Sequence, residues 1–151
     1  MTPPEGPTTA ERFQRLVEVV HALRVHCPWT SEQTHASIAP YAAEEAEEIA
    51  EAVAALEEGT GTGRELADEL GDLLLQVVLQ AEIGSEAEAP ERRVSLDAVI
   101  EAITAKLVRR SPHVFAEDGS VRVVPMSIAE IDAQWDAIKA QERGEGAETG
   151  R

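Results

Sequence analysis

Two short acidic motifs carry the chemistry that this sequence offers: Glu44-Glu45-x-x-Glu48 and Glu69-x-x-Asp72. A three-residue spacing on an α-helix puts two side chains on nearly the same face. Two helices that each present such a pair can aim four carboxylates into one cleft. Carboxylates that close repel one another unless a hard cation lies between them. Mg²⁺ suits such a place, because it takes oxygen ligands at about 2.1 Å and shares its sites with substrate phosphates.

The simpler account of residues 44–58 is a solvated acidic face, and helical phase argues against it for part of the run. Ile49, Val53 and Leu56 define an expected buried stripe. At about 100° per residue, Glu45 falls only about 40° from Ile49, inside that stripe. Glu48 falls on its flank, while Glu47 and Glu51 point to the opposite side as ordinary solvated charges. An unpaired carboxylate at a core position stays protonated or is strongly destabilising, and a bound cation removes the conflict. In the next helix, Leu66, Leu70, Leu73, Leu74 and Val77 form a broad apolar stripe, with Glu69 and Asp72 along one edge. Gln76 and Gln80 continue that edge. The apolar run from Leu73 to Leu79 marks this helix as central, where acids are rarer than on a surface helix.

The elements that must position these residues are read from caps and breakers. Thr8-x-x-Glu11 is a capping box opening a helix that carries Phe13, Leu16, Val17, Val20 and Leu23. Cys27-Pro28-Trp29 ends it, and Thr30-x-x-Gln33 is expected to cap a short turn of helix to about His35. Pro40 is expected to start the next long helix, where its missing N–H is tolerated, with an end near Glu58 at Gly59. Residues 59–63 read as a flexible connector. Thr62-x-x-Glu65 opens a helix to about Gly84, Ser95 caps another to about Arg110, and Ser127-x-x-Glu130 caps a last one to 142. Residues 84–94 read as a loop, and 116–126 as a loop or short hairpin around Gly119. The expected organisation is a flexible tail at 1–7, one domain at 8–142 and a flexible tail at 143–151. The whole reads as an all-α helical bundle with short connections.

Composition narrows the function. A chain of 151 residues, 43% of them hydrophobic, can bury a core and is not disordered throughout. A net charge of −16 argues against nucleic-acid binding through a basic surface, and makes any phosphate ligand depend on local cations or a metal. Cys27 is the one cysteine, so no intrachain disulfide forms, which fits a reducing cytoplasm. Residues 1–7 have neither the basic region nor the apolar run of a signal peptide. Gln76 and Gln80 interrupt the longest apolar run, so no transmembrane helix and no membrane partner are expected.

Taken in order, the motifs resemble the MazG nucleoside triphosphate pyrophosphohydrolases. They are Cys27-Pro28-Trp29-x-x-x-Gln33-Thr34-His35, Ile38-x-Pro40-Tyr41, the two acidic motifs, Lys106-x-x-Arg109-Arg110-x-Pro112-His113-Val114-Phe115 and Trp135-x-x-x-Lys139. The resemblance covers residues 11 to 142 and rests on the ordered series more than on any one motif. It implies an all-α NTP-pyrophosphatase fold with a short helix after the Cys-Pro-Trp turn. It also implies Mg²⁺ dependence, with Mn²⁺ as a substitute, and hydrolysis of NTPs and dNTPs to the monophosphate and pyrophosphate in nucleotide-pool sanitation or control. A homodimer with helices packed across subunits, or a higher homo-oligomer, is implied as well.

By the same resemblance, Glu45, Glu48, Glu69 and Asp72 are metal ligands. Glu44 is a ligand to a further ion, or it orients or deprotonates the attacking water. Lys106 and Arg109 or Arg110 hold phosphates, and Trp135 and Lys139 lie near the base or the phosphate tail. Trp29 either lines the base pocket or seals the bundle end. The family usually has Asp after Cys-Pro-Trp; Thr30 stands there and still suits a cap. Attack on the α-phosphorus releases pyrophosphate and needs mostly positioning and charge stabilisation, so no Ser, Cys or His nucleophile is required.

Blander roles compete at several positions. Lys106, Arg109 and Arg110 suit helix C-terminal charge compensation. Trp135 repeats at helical spacing with Ile128, Ile131 and Ile138 as a core residue would. His35 and His113 suit structural hydrogen bonding, and Cys27 a small buried side chain. Two other functions stay open: a base-specific dUTP, dCTP or phosphoribosyl-ATP pyrophosphohydrolase, and a non-catalytic acidic helical interaction dimer. The core position of Glu45 argues against the last.

Overall fold

Side-chain caps set most of the helix starts. The computed structural model describes residues 6–148. Thr8 and Glu11 close a reciprocal box, with Glu11 Oε2 accepting from Thr8 N at 2.7 Å, at the start of α1 (Thr9–His26). Thr62 and Glu65 do the same for α4 (Gly63–Ser85). Ser127 and Glu130 do so for α6 (Ile128–Glu148). Each such N-cap is worth about 1 kcal/mol against alanine.

The stretch between α1 and the acidic helix departs from expectation. The short helix α2 (Pro28–Ser31) begins on Pro28, with Cys27 as its N-cap, and not at Thr30. Thr34 then caps α3 (His35–Glu57), and Ser37 Oγ accepts from Thr34 N at 2.8 Å. Pro40 therefore lies inside α3 instead of starting it. Its missing N–H leaves the Ala36 carbonyl without its helical partner in the second turn.

α3 stops at Glu58, with Gly59 at φ +76°. Thr60 N and Gly61 N both donate to Ala55 O at 2.9 Å, so the expected loose connector is a tied turn. A Cβ on Gly61 would meet Ala55 Cβ at 2.9 Å, which explains a glycine there. α4 is followed by a 3₁₀ turn (Pro90–Arg92) and α5 (Leu96–Arg110). In the segment after α5, Phe115 and Val121 form an isolated antiparallel bridge around Gly119 at φ +80°, the hairpin alternative in its shortest form. α6 runs to Glu148, past the end expected at 142. Gly144 and Gly146 lower helix propensity but, without a proline, do not end the helix. Residues 1–5 and 149–151, the outer parts of the two expected tails, lie outside the described residues.

The chain divides into two units, Met1–Leu96 and Asp97–Arg151. In the first, α4 packs against α1 and α3. Val20, Ile38, Val78, Leu79 and Ile83 form the buried core, flanked by Phe13, Leu16, Val17, Leu75 and Leu96. Each fully buried aliphatic contributes about 1.5–3 kcal/mol. The expected stripes are less buried than helical phase implied. Ile49, Leu66 and Leu73 are half-buried, while Val53, Leu56, Leu70, Leu74 and Val77 are exposed. The core instead takes the C-terminal half of α4, where α1 lies alongside it.

Polar clasps fix that arrangement. The Arg24 guanidinium donates to both carboxylate oxygens of Glu86 at 2.8 Å, and to Thr30 O and Gln33 O at 2.6 and 2.9 Å. One side chain thus ties α1 to the end of α4 and to the turn around α2, and the planar fork of arginine suits such multiple acceptors. His21 Nδ1 lies 2.5 Å from Glu82 Oε1 one turn earlier. In the second unit, Arg109 and Arg110 of α5 pair with Glu142 of α6. Among the described residues, no helix is long and apolar enough to cross a membrane.

Candidate metal centre

α3 and α4 run antiparallel. His35 Nδ1 meets Gln80 Oε1 at one end, and Glu48 approaches Glu69 towards the other. This register gathers the two acidic motifs. Carboxylate oxygens of Glu45, Glu48 and Glu69 all lie within 4.8 Å of one another. Glu45 is half-buried, and its Oε2 is enclosed with no hydrogen-bond partner. Desolvation raises the Glu45 carboxyl above the ordinary carboxylate range, and the charges of Asp72, Glu48 and Glu69 push the same way. Desolvation likewise raises Glu69, followed by the charges of Glu48 and Asp72. Glu45 and Glu69, raised by burial and by their neighbours' charges, lie in a cluster that lacks a counter-charge. An all-carboxylate donor set and an orphaned buried oxygen fit a hard divalent cation.

The cluster opens into a cleft of about 380 Å³ between α3 and α4, lined in part by Glu48, Glu51, Glu65 and Glu69. Glu51 is a correction: helical phase counted from Ile49 sent it to the far side, yet it lies one turn from Glu48 and shares this cleft. The Glu65 carboxylate is engaged in capping α4. Asp72 lies outside the three-oxygen group, although its charge acts on both Glu45 and Glu69. Glu44 is exposed on α3, also outside that group. One polar group without an assigned role has the same peculiarity as Glu45: Gln76 Oε1 is enclosed with no partner.

The remaining candidates lie around α2 and in the second unit. Trp29 is 57% exposed and stands edge-on to Tyr41, with ring centroids 6.3 Å apart. Lys106 is exposed on α5. Arg109 Nε and Arg110 Nη2 each donate to Glu142 at 2.7 Å, and these two guanidiniums hold the Glu142 carboxyl down at about 2. Glu142 went unnoticed in the sequence, because no local spacing connects it to α5. Trp135 is 36% exposed, at odds with a fully buried core role, and Lys139 pairs with Asp136 at 2.9 Å. His113 Nδ1 lies 3.2 Å from Gln134 Oε1, and His35 is held by Gln80, so both histidines are engaged in structural bonds. Cys27 is half-buried at the start of α2.

Comparison with known proteins bears on this arrangement. The profile of the MazG nucleotide pyrophosphohydrolase domain matches residues 33–115, which include both acidic motifs. The chain is 38% identical over 140 residues to a nucleoside triphosphate pyrophosphohydrolase of Escherichia coli, covering 91% of this chain and 48% of that protein. It is 39% identical over 137 residues to a protein of the same name from Mycolicibacterium smegmatis, covering 91% and 38% respectively. The chain thus spans about half the length of these curated relatives, or less. The crystal structure of a mazG-related protein from Thermotoga maritima superposes with a TM-score of 0.64 at 25% identity, covering 84% of this chain and 98% of that one. In matched sequence and in fold alike, the chain belongs to the MazG nucleotide pyrophosphohydrolase domain family.

Proposed function

We propose that this chain hydrolyses nucleoside triphosphates, ribo and deoxy, to the monophosphate and pyrophosphate, in control or sanitation of a cytoplasmic nucleotide pool. The observation that carries this reading is the Glu45–Glu48–Glu69 cluster with its orphaned buried oxygen. The names of the relatives point to the same reaction. Glu45, Glu48 and Glu69 would hold Mg²⁺, or Mn²⁺ in its place, with Asp72 completing the set. A divalent ion bound there supplies neutralisation of phosphate charge and a water of lowered pKa. Glu44, exposed beside the cluster, orients or deprotonates the attacking water.

Lys106, Arg109 and Arg110 are assigned to the phosphates, and Trp29, Trp135 and Lys139 to the base or the phosphate tail. For the two arginines this means an exchange of partner, because a phosphate must replace the Glu142 carboxylate. Exposed apolar rows support a homodimer: Leu70, Leu74 and Val77 along α4 and, in the second unit, Ile100, Ile103 and Leu107 along α5. The test is substitution within the cluster. Glu48→Ala and Glu69→Ala are expected to abolish NTP turnover and the thermal shift produced by Mg²⁺, with helical circular dichroism retained. Turnover at the wild-type level in either variant would overturn the reading.

A further inference from the structure

Gln76 has no part in the reaction described above, and its position asks for one. Its Oε1 is enclosed, and nothing among the described residues donates to it. Gln80, one turn further along the same helix edge, shows what a structural glutamine does here. Its Oε1 meets His35 Nδ1, and its Nε2 donates to His35 O at 3.3 Å. Buried amide oxygens are nearly always paired, so an unpaired one next to a candidate site points to a donor that the chain does not supply.

The antiparallel register places this amide. His35 is beside Gln80, and Glu48 is beside Glu69. Counted from the Glu48–Glu69 pair at the same rise on both helices, Glu45 is level with Asp72 and Tyr41 with Gln76, and counted from His35–Gln80 Tyr41 falls within two residues of Gln76. Tyr41 precedes Glu45 by four residues and Gln76 follows Asp72 by four, so each continues the face that carries the acids. Gln76 is thus one turn beyond the carboxylates, at the level of the Trp29–Tyr41 pair. The edge-on geometry of that pair, at 60°, leaves ring surface open on two residues that are 57% and 39% exposed. Aromatic faces of this kind stack on bases.

The chemistry separates this place from the metal centre. A carboxylate cluster takes a cation; an amide oxygen accepts from an N–H or O–H and can also take a cation or its water, but Gln76 is one turn beyond the carboxylates and outside their group. Ionised phosphates bring only acceptors, whereas the amino and imino groups of a nucleobase bring donors. We propose that Gln76 is a nucleobase-binding residue, whose carboxamide oxygen accepts from an amino or imino group of a base seated beside Tyr41 and Trp29. This inference rests on the proposed nucleotide reaction and adds the group that reads the base.

The test is calorimetric binding of AMP, CMP, GMP, UMP and ribose 5-phosphate, with Mg²⁺, to the wild-type chain and to Gln76→Met. Methionine keeps the length and removes the amide. At least one nucleotide is expected to bind about tenfold more weakly to the variant, the loss of one hydrogen bond to a buried group. Ribose 5-phosphate is expected to bind both proteins alike, and the thermal midpoint of the variant should not fall, because an unpaired oxygen has been removed. Equal weakening for ribose 5-phosphate would assign the donor to the sugar and overturn the proposal. A lowered midpoint with unchanged nucleotide affinities would make the amide structural and overturn it too. Unchanged affinities throughout would overturn this inference and leave the proposed reaction standing. Failure of the wild-type chain to bind any nucleotide would overturn both.

Discussion

Three carboxylates with oxygens within 4.8 Å of one another hold a repulsion that a proton or a cation relieves. Desolvation and neighbouring acids raise Glu45 and Glu69 above the ordinary carboxyl range. Between the unfolded and folded values the metal-free folded chain therefore binds more protons than the unfolded one, and its stability falls as pH rises through that window. The thermal midpoint of the metal-free protein is expected to rise as pH is lowered from neutral towards the ordinary carboxyl range. Glu45→Gln should flatten that rise, and equal slopes in variant and wild type would contradict the prediction. Glu142 has the opposite sign. Its carboxyl is lowered from 4.5 to about 2 by Arg110 and Arg109, so its contribution is present above 4.5 and is lost as pH falls towards 2. Glu142→Gln should lose less stability than wild type over that acid range, as read by thermal melts. At this scale the acids were legible because helical spacing is fixed: Glu45 and Glu48 share a face in any helix. Glu142 was not, because a tertiary pairing between separate helices leaves no periodic trace.

Helix starts were legible where the reciprocal cap pairs Ser or Thr with a Glu three residues on, as at Thr8, Thr62 and Ser127. The start of α3 was misplaced because proline was read as an initiator, when Thr34 and Ser37 form the stronger local signal upstream. Close approaches between elements were invisible for a different reason: they depend on where a distant segment passes. Gly84, near the end of α4, is an example. A Cβ there would lie 2.6 Å from Val94 Cβ and 2.9 Å from Val94 O. Helix propensity favours Gly84→Ala by about 1 kcal/mol, but overpacking costs about 1–3 kcal/mol and involves a backbone oxygen that cannot swing away. The clash is expected to win. Denaturant unfolding should show Gly84→Ala to be less stable than wild type, and equal or greater stability would contradict it.

For the molecule as a whole, the all-α class followed from the patterning, while the depth of burial did not. The apolar row Leu70, Leu74 and Val77 reads as core in one dimension and lies exposed on the folded chain. If a second copy covers that row, wild type should sediment as a dimer and Leu74→Glu as a monomer with its helical content retained. A monomeric wild type would contradict the homodimer. A net charge of −16 adds self-repulsion that Mg²⁺ and Na⁺ screen alike at matched ionic strength, so the larger rise of the thermal midpoint expected with Mg²⁺ would report binding at the acidic cluster. The central claim is the reaction itself, and product analysis in ¹⁸O-labelled water tests it most directly. With Mg²⁺ and a nucleoside triphosphate, the chain is predicted to yield a labelled monophosphate and unlabelled pyrophosphate. Diphosphate and phosphate as products, label in the pyrophosphate, or no turnover with any nucleotide would contradict it.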